Sequence, residues 1–497
     1  MNRALRRISI AILVMFLLLL INVNYLQGFE PASLANEPGN SRALSAAQNQ
    51  YERGSIVTSD GVTVAASKLS TDPNDSIKYQ RYYPLGQEYA PVTGYDTLYS
   101  QTGIEGAENS LLSGNDSALD VRKIIDLITG KTTKGAAVTV TINSKAQNAA
   151  YSALAAGGKP GAVVAIDPST GKILALATYP SYNPDLLATH DGKQLINSDN
   201  QLLADKTQPL LDRALAGSYP PGSTFKIVTS SALLTNNPST TINTSVASPT
   251  QLTLPQTTHV LTNDLGEVCS PTGQAPLIYA FAKSCDTTFG KIGITVGAPA
   301  LNAMATKFGM NNPNLTIPLG VAPSNYVMPP SEALTAFSAI GQFSDTVTPL
   351  QEAMFAAAIA NGGTLMKPYL VQQVTASDLS TVQTTPQAVL SQPVSATVAN
   401  DVKQMMIAVV QQPEGTAYVY NTAATGLKIA GKTGTAETGT VTGLDDAAFT
   451  CFAPYDNPKI AVGVIIQGGG YGATAAAPIA VQVIKAYLAY LASLGNQ

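Results

Sequence analysis

The chain has no tryptophan, only two histidines and three cysteines, and little charge: 12% of its 497 residues are charged, with a formal net charge of -4. Each scarcity excludes something. A weakly acidic chain lacks the basic footprint that a nucleic-acid backbone requires, so no nucleic-acid partner is expected. His190 and His259 are far apart and lack ligand spacing, so no metal and no cofactor is expected, and both read as solvated loop residues. No repeat period or long low-complexity tract is present. What remains is a composition of 45% apolar residues with 40 Gly and 31 Pro, which suits a folded, loop-rich protein of two or three domains.

Arg3, Arg6 and Arg7 precede a nearly unbroken apolar run from Ile8 to Leu26 that carries no charge and approaches the ~20 residues needed to cross a bilayer. The run ends in Asn24-Tyr25-Leu26-Gln27-Gly28, without the small-x-small site of a cleaved signal peptide, so residues 1–30 read as an uncleaved signal anchor. The flanking arginines predict a cytoplasmic N-terminus, a single pass through the plasma membrane, and an extracytoplasmic remainder.

A polar Asn/Ser/Ala-rich spacer follows, and then short strands punctuated by turns, so residues 31–135 are expected to hold a small β-rich domain with its boundary at Thr129 to Gly135. Residues 136–497 form the larger unit. V-T-V-T-I-N alternates as a strand, and G-A-V-V-A-I-D-P-S-T-G-K-I-L-A-L-A reads as two strands around a turn. Helical patterns occur at 224–234, 276–293, 330–342, 350–362, 396–411 and 476–493, and strands return from Phe449 to Gln467. Strands at both ends with helices between predict an α/β domain whose chain ends share one sheet.

G-L-K-I-A-G-K-T at 426–433 matches the phosphate-loop pattern at every position. Its context argues otherwise. Nucleotides are scarce outside the membrane, T-G-T-A-E-T-G-T is too rich in Gly and β-branched Thr to open a long helix, and Leu427 and Ile429 alternate as in a strand running through the motif. Ser-x-x-Lys occurs twice. In S-T-G-K at 169–172 the Gly and the preceding Pro168 make a hairpin turn, a structural role. In Y-P-P-G-S-T-F-K, Pro-Pro-Gly halts the chain and Ser223 opens a helical run, so Ser223 and Lys226 share one face beside the helix N-terminus. A nucleophile, a base within reach and a dipole that stabilises a developing anion are what an activated serine needs. An isolated match of this kind is more often a capping serine with a solvated lysine.

Two later motifs lift it above that reading. A-K-S-C-D-T-T-F places Ser284 in a helical context, and A-G-K-T-G-T-A-E places Lys432 and Thr433 on a strand. Ser-x-x-Lys, Ser-x-Asn and Lys-Thr-Gly in this order are the signature of penicillin-binding proteins and serine β-lactamases. Together with R-G-S-I, R-Y-Y-P-L-G, G-I-E-G, D-R-A-L, T-P-L-Q, A-I-A-N-G-G and F-A-P-Y-D-N-P-K-I-A-V, they make the chain resemble a class B penicillin-binding protein over nearly its whole length, most like the actinobacterial penicillin-binding protein A type.

The resemblance implies an α/β (α+β) serine β-lactamase/D,D-transpeptidase-like domain, with a five-stranded antiparallel sheet flanked by helices and an all-helical subdomain. A small β-rich pedestal of the dimerisation type and one transmembrane helix would precede it. It implies a peptidoglycan D,D-transpeptidase that cross-links stem peptides in cell-wall synthesis and division, is acylated by β-lactams, and works with divisome or glycan-polymerase partners. Ser223 would attack the penultimate D-Ala carbonyl, Lys226 would accept its proton, and Ser284 would relay a proton to the leaving amine. The N–H groups of Ser223 and Thr435 would form the oxyanion hole, Lys432, Thr433 and Thr435 would hold the substrate carboxylate, and Gly434 would lie with them on the substrate-binding strand. A D,D-carboxypeptidase of the same fold, and a β-lactam-binding scaffold or sensor without turnover, are the alternatives.

The chain departs from the family at Asp286, where the pattern has Asn: an amide can donate to a substrate carbonyl, and a carboxylate only accepts. Asp286 is therefore expected to organise Lys226. The aromatic pair usual before F-x-x-F-A-P is altered to Ala448-Phe449. Cys269 and Cys285 are candidates for a disulfide in an oxidising compartment, which would tether Ser284, although spacing alone does not bring their Cα atoms together. Cys451 reads as a buried core residue.

Overall fold

The computed structural model describes residues 2–28, 51–71, 75, 77–129, 134–437 and 445–495. Its centre is a five-stranded antiparallel sheet in the order Ala430–Ala436, Asp446–Ala453, Ile460–Ile466, Gly161–Ile166, Ile173–Tyr179, so the two ends of the larger unit do share one sheet. Strands such as G-A-V-V-A-I and I-A-V-G-V-I-I are buried on both faces, which is why they are continuously apolar. Helices Ser144–Gly157 and Ala477–Gly495 pack together over one face, and helix Pro349–Ala360 crosses the strands on the other. The S-T-G-K copy at 169–172 is the expected hairpin turn: Gly171 has φ 82° and donates its N–H to Asp167 O at 2.9 Å.

The helical part, which includes Lys226–Asn236, Leu277–Ala282, Asp286–Val296 and Ala396–Gln411, also carries two short ribbons, Ser245–Ala247 with Gln274–Pro276 and Gln251–Thr253 with Val260–Thr262. The helix expected over 276–293 is broken at Lys283–Cys285, because Ser284 takes a left-handed conformation at φ 64°. Ser284 therefore sits at a corner between helices. Gly426 also departs from expectation. It caps the short helix Thr422–Thr425 at φ 72°, and the strand starts at Ala430.

A second sheet of six strands runs in the order Thr381–Thr384, Val371–Thr375, Ala137–Val140, Ile56–Val57, Thr63–Leu69, Tyr79–Tyr82, so it continues through the boundary expected at 135. R-G-S-I, R-Y-Y-P and G-I-E-G converge beneath it. Arg53 Nε and Arg81 Nε donate to the two oxygens of fully buried Glu105, each at 2.6 Å. Burial alone would raise the Glu105 carboxyl, but Arg81 and Arg53 hold it below its ordinary value. His190 is not a solvated loop residue: its partly buried ring pairs with Asp75 at 2.5 Å.

Helix Asn2–Gly28 contains a span, Arg6–Leu26, of mean hydropathy 2.4 with none of it buried, a candidate membrane span. A second apolar stretch, Gly472–Gly495, is partly buried and packs through Val483 and Ile484 into the core. Composition admits both; packing separates them.

Candidate active site

The Pro-Pro-Gly sequence ends in a tight turn, Gly222–Phe225, that leads into helix Lys226–Asn236. Gly222 has φ 55°, and a Cβ there would lie 2.4 Å from Thr435 O, so glycine lets the turn press against the edge strand Ala430–Ala436. Gly434 completes this fit from the strand side, where a Cβ would come within 2.9 Å of Pro221 O. Ser223 is partly exposed between buried neighbours, with Phe225 anchored by stacking on Tyr326.

Lys226 Nζ, fully buried, donates to Ser223 Oγ at 3.0 Å, Ser284 O at 2.8 Å and Ser284 Oγ at 3.1 Å, and meets Asp286 Oδ1 at 2.6 Å. The left-handed Ser284 presents both its carbonyl and its hydroxyl to this lysine. Lys432 Nζ, also buried, donates to the same Ser284 Oγ at 2.9 Å and to Thr433 O at 3.0 Å. One hydroxyl thus touches both amines. The rings of Phe289 and Phe281 lie 5.5 and 5.7 Å from the Lys226 and Lys432 Nζ atoms, respectively.

Burial lowers Lys226, and the Asp286 carboxylate opposes that shift. Lys432 is pushed much further down, by burial and then by the charge of Lys226. The like-charge push falls on Lys432, because Asp286 bonds Lys226 directly and Lys432 has no carboxylate in an ion pair among the described residues.

A cleft of about 710 Å³ opens over these groups, lined by Ser223, Ser284, Asp286, Thr433 and Thr435 among others. Thr433 Oγ1 lies 2.6 Å from Thr416 Oγ1, and Gln342 Nε2 donates to Thr435 O at 3.1 Å. Neither Thr416 nor Gln342 stands out in the sequence. Cys269 and Cys285 are bridged, with Cα atoms 5.9 Å apart, which staples the loop carrying Asn263 and Asp264 to the corner beside Ser284. Asn263 Oδ1 also accepts from Thr287 N at 3.0 Å, so the loop is held on both sides of Asp286.

A partly exposed serine in contact with a buried amine, at the head of a helix and facing an edge strand, has the geometry that serine acyl transfer needs. Residues 161–485 match the penicillin binding protein transpeptidase domain and residues 53–138 the penicillin binding protein A dimerisation domain. The chain is 41% identical to the peptidoglycan D,D-transpeptidase PbpA of Mycolicibacterium smegmatis and 39% identical to that of Mycobacterium tuberculosis, over 98% of this chain and 99% of each relative. The imipenem acyl-enzyme of penicillin-binding protein A from M. tuberculosis superposes with a TM-score of 0.83 at 38% identity, covering 89% of this chain and all of that one. A D,D-transpeptidase domain from Eggerthella lenta gives 0.75 at 33% identity, covering 89% of this chain and 99% of that one. The chain belongs to the penicillin-binding protein transpeptidase family.

Proposed function

We propose that the protein is a peptidoglycan D,D-transpeptidase that forms an acyl-enzyme at Ser223. The observation that carries this reading is the contact of Ser223 Oγ with Lys226 Nζ at 3.0 Å, coupled through Ser284 Oγ to Lys432. Ser223 attacks the penultimate D-Ala carbonyl of a stem peptide, and Lys226, as the neutral amine, takes its proton. Lys432, held low in the resting site, gains a proton as it meets the substrate carboxylate. Ser284 Oγ, touching both amines, is the route by which Lys226 gives that proton up. After attack the proton returns through Ser284 to the leaving D-Ala amine.

The N–H groups of Ser223 and Thr435 stabilise the oxyanion, each worth about 3 kcal/mol by analogy with other acyl-transfer sites. Thr433 and Thr435 share the carboxylate with Lys432, and Gly434 keeps the strand close to the serine turn. Asp286 holds Lys226, and substrate amides are read by backbone groups. An amine of a second stem peptide resolves the ester as a cross-link, and a β-lactam acylates the same serine.

Helix Asn2–Gly28 anchors the chain in the plasma membrane with Arg3, Arg6 and Arg7 on the cytoplasmic side and the later residues outside. Residues 31–135 act as a pedestal beneath the transpeptidase unit of 136–497, where divisome or glycan-polymerase partners dock. Incubation with a D-Ala-terminated stem peptide and an acceptor amine separates the readings. Cross-linked product with D-Ala release supports transpeptidation, hydrolysis alone indicates a carboxypeptidase, and no turnover indicates a scaffold.

A further inference from the structure

Behind the serine turn lies a carboxyl group that the chemistry above does not use. Glu352 sits in helix Pro349–Ala360, a helix otherwise built almost wholly of apolar core residues, and is fully buried. Its Oε1 is 2.7 Å from Thr224 Oγ1, and Thr224 Oγ1 is 2.8 Å from Pro221 O. Thr224 follows the nucleophile directly and Pro221 precedes it by two residues, so the two bonds clasp the turn from inside. Glu352 Oε2 is buried without a hydrogen-bond partner.

The arrangement requires a particular count of protons. Thr224 has one hydroxyl proton and two acceptors in reach. If Glu352 is a neutral acid, its O–H donates to Thr224 Oγ1 and the threonine proton is free to go to the Pro221 carbonyl, so both bonds are made. If Glu352 is ionised, it competes with Pro221 O for that single proton. One of the two buried acceptors then loses the threonine proton, next to a buried charge with a bare oxygen.

We propose that Glu352, as a neutral carboxylic acid, is a positioning residue for Ser223, acting through Thr224 to hold the Pro221 carbonyl and with it the turn that presents the nucleophile. This rests on the reading of Ser223 as the acylated residue. Burial pushes the Glu352 carboxyl up to about 8, offset in part by the Thr224 bond. No charge contributes to that shift from the packed elements. Strands Gly161–Ile166, Ile460–Ile466 and Leu365–Met366 carry no titratable side chain, and neither Asp446 and Cys451 nor Asp401 and Lys403 on the neighbouring strand and helix acts on it. Lys226 and Lys432 are the charged groups on the segments around the serine turn.

The test is the acylation rate by a fluorescent penicillin from about pH 6 to about pH 9.5 for the wild type, Glu352→Gln and Glu352→Met, with melting curves for each. The Gln amide donates to Thr224 at every pH. The wild-type rate should match Glu352→Gln near neutrality and fall about tenfold below it at the alkaline end, and Glu352→Met should be about tenfold slower than Gln throughout. A wild-type to Gln ratio that stays flat with pH overturns the proposal, and so does a Met variant as fast as Gln. If Glu352→Met does not fold, the ratio alone decides. A wild type that takes no label overturns the Ser223 reading itself, an outcome distinct from a labelled protein with a flat ratio.

Discussion

Lys226 and Asp286 meet at 2.6 Å, with the lysine fully buried and the carboxylate partly open to the cleft. The carboxylate stabilises the ammonium form of the group proposed to act as base. Replacing Asp286 by Asn removes that support, so Lys226 loses its proton at lower pH. The acid limb of the acylation profile should move down by about one unit, with the plateau rate changed less than about tenfold. A stopped-flow series with a chromogenic β-lactam measures both. A loss of several orders of magnitude would show that the carboxylate is integral to the chemistry.

Gly222 touches the backbone of Thr435 at a positive φ of 55°. Gly222→Ala should force the serine turn away from the edge strand and lower the acylation rate about 100-fold, since displacements near 1 Å cost that much in oriented sites. Circular dichroism should be unchanged. Acylation at the wild-type rate would mean that the turn and strand need not be in register.

Beside the six-stranded sheet, Glu105 accepts from Arg53 and Arg81 inside a buried cluster. Glu105→Gln removes the charge between two guanidinium groups and should cost about 3–5 kcal/mol. Glu105 is held below its ordinary value of 4.5, so its contribution is present above that pH and is lost as pH falls through the lowered value. The gap between wild-type and variant denaturation curves should therefore close on acidification.

The Cys269–Cys285 bridge closes a loop of sequence separation 16. A double Cys→Ser variant should lose about 3 kcal/mol and loosen the wall beside Ser284. Thiol titration of the unfolded, unreduced protein should count only Cys451. Three free thiols would remove the bridge from the account.

The parts legible in sequence were those whose signal is local. Ser223 and Lys226 are set by a turn and one helical step, and Lys432 by the strand that runs through A-G-K-T-G-T-A. The fully buried strands announced themselves as apolar runs. Ser284 was not legible in its conformation, because a left-handed serine is stabilised by what it touches across the fold, Lys226 above all. Thr416 and Gln342 join the site from loops with no motif of their own. Glu352 was hidden in an otherwise apolar helix, where one carboxyl looks like an exposed position. Helix Ser144–Gly157 is weakly signalled in the sequence although Asn143 caps its start and Gly158, at φ 65°, its end. Its alanines form too weak a stripe.

Mass spectrometry of the intact protein after incubation with penicillin G, followed by peptide mapping, addresses the central claim. The account predicts one adduct, on the peptide that contains Ser223, and none on Ser223→Ala. No adduct on the wild type, or an equal adduct on Ser223→Ala, would contradict it.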